Sequence, residues 1–553
     1  MKRYIYYSSF LVLLSIFPLG CKDDFLERPP QDAYVVDEWF QTEEQIALAA
    51  NALYGGVWFD YQRSFLNIGD VMGGNYYKGA ADPFWTLSVN QSTAGVSEAY
   101  NSLWMAVTYS NSVIENIKER TPETVSQTAK DKYLGEALVW KSMAYFFLVR
   151  AWGDVPIIES NTRLITTGEA TSIYRNKKED VYEYIVRLLT KAAELLPPQS
   201  EPGRINKYSA YGLLAKVYLT RSGVTGTRSQ EDLNKAKEYA AKVIYESGIG
   251  LEENYRNLFR LSTGNRNAEN LISWHWQAGS DWGSQNAIQA DLAVVGLTGF
   301  TDGWGTWTGP SVDLQYLFGE DASYVGQENR VYDDERRMAT MMMDGDHYDL
   351  LKRDEGGLDV TWDGGAVFAS PTGAWARKHI IGNAADNSAE GGGFYDFMKT
   401  SLSTHLLRLA DVYLIYAEAI LGTSNSTTDP EALYAYNKVR ERAFNDKFVP
   451  AVSINFDNIM NERRRELAFE GDTWFDYVRL FYYDEEDAKA RIAAQERGYF
   501  SGDATAPAIS LNSVHYVPTE DDFYLPIPEG DLLKNPNFGK DPVPYDFSQM
   551  DLE

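Results

Sequence analysis

One stretch narrows the possible folds more than any other. Residues 133–152, YLGEALVWKSMAYFFLVRAW, are apolar around most of a helical circumference. Such a helix has to be covered on more than one side, so it predicts the inner member of a large helical unit. Gly153 and Pro156 stop it. Comparable signals predict a helix over 180–196, ended by Pro197-Pro198, and further helices from Asn206, Asp232, Arg408, Asp429 and Asn458. A break falls at Gly471.

The helices pair. Ala236, Ala240 and Val243 repeat at steps of four and seven, as do Ala432, Tyr436 and Val439, and Ile185, Leu189 and Ala192. The helix before each supplies small residues for close approach, such as Ala215 and Ala417. This resembles tetratricopeptide repeats, whose helical pairs run about 34 residues. The same spacing is also the apolar face of any antiparallel helical protein. The expected fold class is mostly α: tetratricopeptide-like helical pairs in one globular unit, with short strands and an irregular ligand-facing region.

That region is residues 257–393, rich in Gly, Asp, Asn, Ser and Trp. Only ENLISWHWQ alternates like a strand. Compact domains seldom keep so long an irregular segment unless it is functional.

The chain has one cysteine, Cys21. Lys2 and Arg3, a short apolar block ending at Leu19, and Gly20 precede it, which is the build of a secretory signal over 1–20. A small residue directly before cysteine resembles a bacterial lipobox, with Pro18 where leucine is usual. Cys21 is then the lipid anchor. The anchor consumes the only thiol, leaving none for a disulfide, so packing must hold the fold. Residues 21–35 read as the lipidated linker. Lys22-Asp23-Asp24 resembles a surface-export signal. A formal charge of −28 argues against nucleic-acid binding.

CKDDFLERPP, YFFLVRAWGDVPII, GRINKYSAYGLLAKVYL, RLADVYLIYAEAI, YNKVRERAF, ERRRELAFEGDTWFDYVRL and FYLPIPEGDLLKNPNFGKDP occur in this order. Together they resemble the SusD/RagB family, with Thr473 where the family commonly has arginine. The resemblance divides the chain into an N-terminal helical region, 36–256, and a C-terminal region, 257–553. It implies a surface-exposed outer-membrane lipoprotein that binds glycans and delivers them to a SusC-like TonB-dependent transporter. It implies no enzyme activity and no cofactor. Binding of peptides or another nutrient, and glycoside hydrolysis, stay open as alternatives.

A sugar ring has an apolar face that a flat aromatic can cover and hydroxyls that polar groups orient. The family's glycan site draws on a loop near the N-terminal helices and on the irregular middle. The matching stretches here are 69–85 and 279–310. The candidate glycan-binding residues are Trp85, Trp282, Trp304, Trp307, Tyr76 and Tyr77. Trp274 and Trp276 share a strand face and read as core, and Trp140, Trp152 and Trp474 read as core on helices. Trp362 and Trp375 are lesser candidates. No HExxH pair, GxSxG elbow or Walker loop occurs. Asp344–Asp349, DGDHYD, lacks the spacing of a calcium loop and reads as a solvated loop without metal.

Overall fold

The inner helix is covered as its composition requires. In the computed structural model every residue from Gly135 to Trp152 is buried. The structure describes residues 39–279, 282–298, 303–320, 332–360, 370–392, 399–501 and 510–551; Cys21, the signal segment and Trp362 lie outside them. The longer helices are α1 (Glu43–Asn51), α2 (Tyr61–Leu66), α3 (Ala94–Arg120), α4 (Gln127–Trp152), α5 (Lys178–Leu195), α6 (Lys207–Arg221), α7 (Gln230–Glu246), α8 (Leu409–Leu421), α9 (Pro430–Phe444), α10 (Phe456–Leu467) and α11 (Thr473–Phe481). Their starts are capped. Asn206 and Asn455 form capping boxes, and the Asp429 side chain accepts from Glu431 N and Ala432 N ahead of Pro430. Gly153, at φ 69°, ends α4 in a conformation that costs a side-chain-bearing residue energy.

Each helix from α3 to α9 packs against the next. The row is continuous in space but not in sequence: α7 ends at Glu246 and α8 starts at Leu409. The irregular middle is an excursion between these neighbours. Its ends are tied by β2 (Asn270–Trp274), which pairs antiparallel with β8 (Thr404–Arg408). The other strands are short: β1 (Tyr76–Tyr77) pairs with β3 (Gly309–Pro310), β4 (Met341–Met343) with β7 (Ala374–Ala376), and β5 (His347–Tyr348) with β6 (Leu358–Asp359). The protein is mostly helical with short strands, as expected. Helix α3 has no counterpart in the sequence reading, because Ser, Asn and Thr interrupt its apolar spacing. No helix among the described residues is long and apolar enough to cross a membrane.

A buried ion-pair network joins the excursion to the helices. Arg408 on β8 bonds Glu269, Glu466 and Glu470 at 2.7–2.8 Å. Arg442 on α9 bonds Glu269 at 2.9 Å and Glu466 at 2.6 Å. Arg336, from the middle, bonds Asp334, Glu462 and Glu466, and Lys378 bonds Glu470. A second cluster centres on Arg463, which bonds Asp411, Asp472 and Asp476. Arg150 of α4 reaches Asp472 at 2.9 Å, with its guanidinium against the rings of Phe146 and Phe475. The Thr473 hydroxyl accepts from Asn75 Nδ2 at 2.8 Å, and Arg464 bonds Asn75 Oδ1 at 2.6 Å. This couples α10 and α11 to the loop before β1.

The DGDHYD segment departs from the solvated-loop reading. Asp344 and Asp346 are buried, and Asp346 accepts from Arg337 Nη1 at 2.5 Å and Met343 N at 2.7 Å. Only His347 and Asp349 face solvent, because β5 turns the alternate positions inward. Among the described residues, no group of three or more His, Cys, Asp or Glu is placed to hold a metal ion.

Candidate functional site

Gly305–Trp307 forms a 3-10 turn on the surface. Trp304 N donates to Ala290 O at 2.8 Å and Gly305 N to Ala293 O at 2.9 Å, which fasten the turn to the short helix Ile288–Leu292. Gly305 is required for this approach: a Cβ there would lie 2.1 Å from Leu292 O. Below the turn, the Thr306 hydroxyl accepts from Val295 N at 3.0 Å. The Thr308 hydroxyl donates to Gly305 O at 3.0 Å and accepts from Tyr76 OH at 2.7 Å. Turn and support are therefore rigid, while the indoles project. Trp304 is 48% exposed and Trp307 67%.

Charged groups border the turn. The Arg63 guanidinium lies 5.1 Å from the Trp304 ring centroid, and its Nε donates to Asp291 Oδ2 at 2.9 Å. Burial raises the Asp291 pKa, against the lowering by Arg63 and Lys78. Lys78 Nζ donates to Asn67 Oδ1 at 2.8 Å. An indole face flanked by charge-assisted donors suits a ligand with both an apolar face and hydroxyls.

The structure brings the two candidate segments together, through the β1–β3 pairing and the Tyr76–Thr308 bond. It sorts the candidates within them, and three are corrected. Trp85 is 0% exposed, with its Nε1 donating to Arg497 O at 3.2 Å and the Arg497 guanidinium 4.9 Å from its ring. Tyr77 packs edge-on against Trp85 at 5.4 Å, and Tyr76 against Phe469. Both tyrosines are buried. None of the three offers a ring face to solvent; Tyr76 supports the turn through Thr308, and Tyr77 and Trp85 pack in the core beside it. Trp282 begins the 3-10 turn Trp282–Ser284, and its side chain lies outside those described. Trp375 is buried, as are Trp274, Trp276, Trp140, Trp152 and Trp474. Trp274 stacks on Trp58 at 5.4 Å. Arg63 and Asp291 were missed, since no spacing links residues brought together only by the fold.

The site is an open surface rather than a pocket. Recesses lie elsewhere: an open one of about 480 Å³ at the ends of α8 and α11, and one of about 240 Å³ beside β5.

A helical scaffold holding an irregular excursion, with rigidly mounted aromatics on its surface, defines a class of surface-binding fold. The comparisons give it a family. The family model described as "Starch-binding associating with outer membrane" matches residues 24–219, and the SusD family model matches residues 280–543. A SusD-like protein of Bacteroides ovatus is 34% identical, over 96% of this chain and 96% of its own length. The chain belongs to the SusD/RagB family. A crystal structure with xylogluco-oligosaccharide is 32% identical, with TM-score 0.78, 91% of this chain covered and 99% of that one. A SusD-like carbohydrate-binding protein of Bacteroides fragilis, 20% identical at TM-score 0.69, shares the fold over 90% of this chain and 99% of its own.

Proposed function

We propose that this protein binds oligo- or polysaccharides at the cell surface on Trp304 and Trp307 and passes them to a SusC-like TonB-dependent transporter. The observation that carries the reading is the pair of exposed indoles on one rigid turn. Family membership supports it, as does the relative solved with xylogluco-oligosaccharide, which makes such oligosaccharides the first ligands to test. The chain captures and does not cleave: the site offers stacking area and bordering charges, and sugar stacking needs no chemistry. Trp282, whose side chain lies outside those described, remains a candidate.

Stacking of a nucleic-acid base on a protein aromatic, a comparable contact, is worth about 1–3 kcal/mol. Trp304→Ala and Trp307→Ala should therefore each weaken glycan binding roughly 5- to 150-fold in calorimetric titration and leave the melting temperature nearly unchanged. Trp85→Ala should do the reverse, melting early because a buried indole is lost. Normal affinity in both turn variants would place the ligand elsewhere.

Anchoring follows from Cys21, which would carry the lipid after cleavage behind Gly20, with Lys22-Asp23-Asp24 directing export to the extracellular face. The description of the matching family model, association with the outer membrane, supports this placement. Cys21→Ser should move the protein from the membrane fraction to the soluble one with its melting curve intact. A variant that still pellets with membranes would overturn the anchor.

A further inference from the structure

The cavity of about 240 Å³ lies between the 3-10 turn Tyr255–Phe259, the short helix Arg336–Thr340 and strand β5. Arg256, Arg260 and Arg377 all line it, with Asn254, the Phe259 ring, Tyr348 and Asp349. Three guanidiniums in one small space repel one another, so their counter-charges decide what the cavity can hold. Glu335 answers Arg256, at 2.8 Å. Glu390 answers Arg260 at 3.0 Å, and Arg353 as well. No carboxylate among the described residues bonds Arg377 directly; Glu390 and Asp386 act on it only at longer range. Its Nη1 donates to the carbonyl of Ile380 at 2.5 Å, and its guanidinium lies 5.6 Å from the Tyr348 ring centroid. Burial lowers its pKa and the neighbouring Arg256 adds to this, against the opposing pull of Tyr348, Glu390 and Asp386. Arg256 keeps a second unmet donor, since its buried Nε has no hydrogen-bond partner. A partly buried cation with no directly bonded carboxylate keeps donor capacity that a bound anion would take up.

We propose that this cavity is a second ligand site, which takes the carboxylate of a small organic acid of about sugar size, anchored by Arg377 and Arg256. The guanidinium fork matches a carboxylate through paired N–H donors. The volume lies below the usual range for a drug-sized ligand, about 300–1,000 Å³. It therefore admits one ring rather than a chain. Phe259 supplies an apolar wall and Asn254, whose Oδ1 accepts from Arg256 N, an amide in the lining, as a sugar acid would require. Asp349, on the rim, is 86% exposed and bonded to His347 Nε2 at 2.8 Å; its negative charge opposes an entering anion. The site shares no residue with the Trp304–Trp307 turn and does not depend on glycan binding there.

The test is calorimetric titration of the full protein with galacturonate, galactose and acetate. Galacturonate should bind saturably and galactose should not. Tighter binding of galacturonate than of acetate identifies a sugar acid as the ligand; equal binding identifies a free small carboxylate. Arg377→Gln should weaken galacturonate binding about 10- to 100-fold, the worth of a charge-assisted hydrogen bond. Asp349→Asn removes only an exposed rim charge and should tighten binding about 2- to 5-fold at low salt, with the gain screened away as salt rises. Trp307→Ala should bind galacturonate normally, which separates this site from the glycan surface. The proposal fails if galacturonate does not bind, if galactose binds equally well, or if Asp349→Asn leaves the affinity unchanged. It fails equally if a folded Arg377→Gln variant binds as the parent does.

Discussion

Glu466→Gln should cost about 3–5 kcal/mol of stability, the usual cost of breaking a fully buried ion pair from one side. Glu466 is buried against three guanidiniums: Arg408 at 2.8 Å, Arg442 at 2.6 Å and Arg336 at 3.1 Å. Burial alone would raise its pKa, yet Arg442, Arg408 and Arg336 together hold the carboxyl well below the usual range. An amide keeps the shape and loses the charge, leaving three buried cations to share the remaining carboxylates. Equilibrium denaturation measures the loss. Glu441→Gln is the control: it removes the exposed pair with Lys438, at 2.8 Å, and should cost under about 1 kcal/mol. A loss below about 1 kcal/mol for Glu466→Gln as well would mean the network does not hold the fold. Because Arg336 and Lys378 come from the excursion and Glu466 from α10, the variant should also loosen the segment that carries the tryptophans, visible as faster amide exchange around β4 and β7.

His405, His379 and Asp70 together should cost about 3 kcal/mol of stability between pH 7 and pH 4.5, and His405 should account for much of it. Burial pushes the His405 pKa down to about 3 and that of His379 down to about 4. His405 Nε2 donates to Leu258 O at 2.7 Å, and His379 Nε2 to Phe469 O at 2.6 Å. In the unfolded chain both titrate near 6.5. As the pH falls below 6.5 the unfolded chain takes up protons that the native state refuses, so folding loses stability until the folded pKa is reached. With about 1.4 kcal/mol per pKa unit, the two histidines together cost about 5 kcal/mol by pH 4.5. Asp70 works against them. Burial raises its pKa to about 6, despite hydrogen bonds from Asn75, Gly471 and Phe469. A carboxyl with a raised folded pKa is protonated first in the native state, so it returns about 2 kcal/mol over the same window. Denaturation midpoints from pH 7 to 4.5 should therefore fall steadily in the parent. In a folded His405→Gln variant the fall should be roughly half as steep or less. An identical slope in the two proteins would rule out His405 as the source.

The same residues show how far the sequence could be read. Residues 133–152 announced a helix covered on more than one side, and Gly153 announced its end, because periodicity and chain stops are local properties. The pairing of helices and their caps at Asn206 and Asp429 were legible for the same reason. Helix α3 was not, since its polar positions blur the period. The partnership of β2 with β8 was not legible either, because each strand is short and the partner lies more than a hundred residues away. Family motifs marked ERRREL and EGDTWFD as belonging together without showing that their charges are buried; burial needs Arg408, Glu269 and Arg336 from other segments to meet them.

At the candidate surface the sequence by itself determined which residue types were available, rings and glycines in two loops, and that those loops were the place to look. Which rings face outward only the tertiary structure decided. Trp85 and Trp304 both sit in polar, glycine-rich surroundings, and nothing within a few residues of either tells them apart. The difference comes from Arg497, 412 residues beyond Trp85, whose carbonyl accepts the indole N–H and whose guanidinium closes over the ring. Among the described residues, Trp304 has the Arg63 guanidinium against its ring and stays half open. Exposure is what remains after every other segment has taken its place. It belongs to the packed chain, and no stretch of sequence carries it alone.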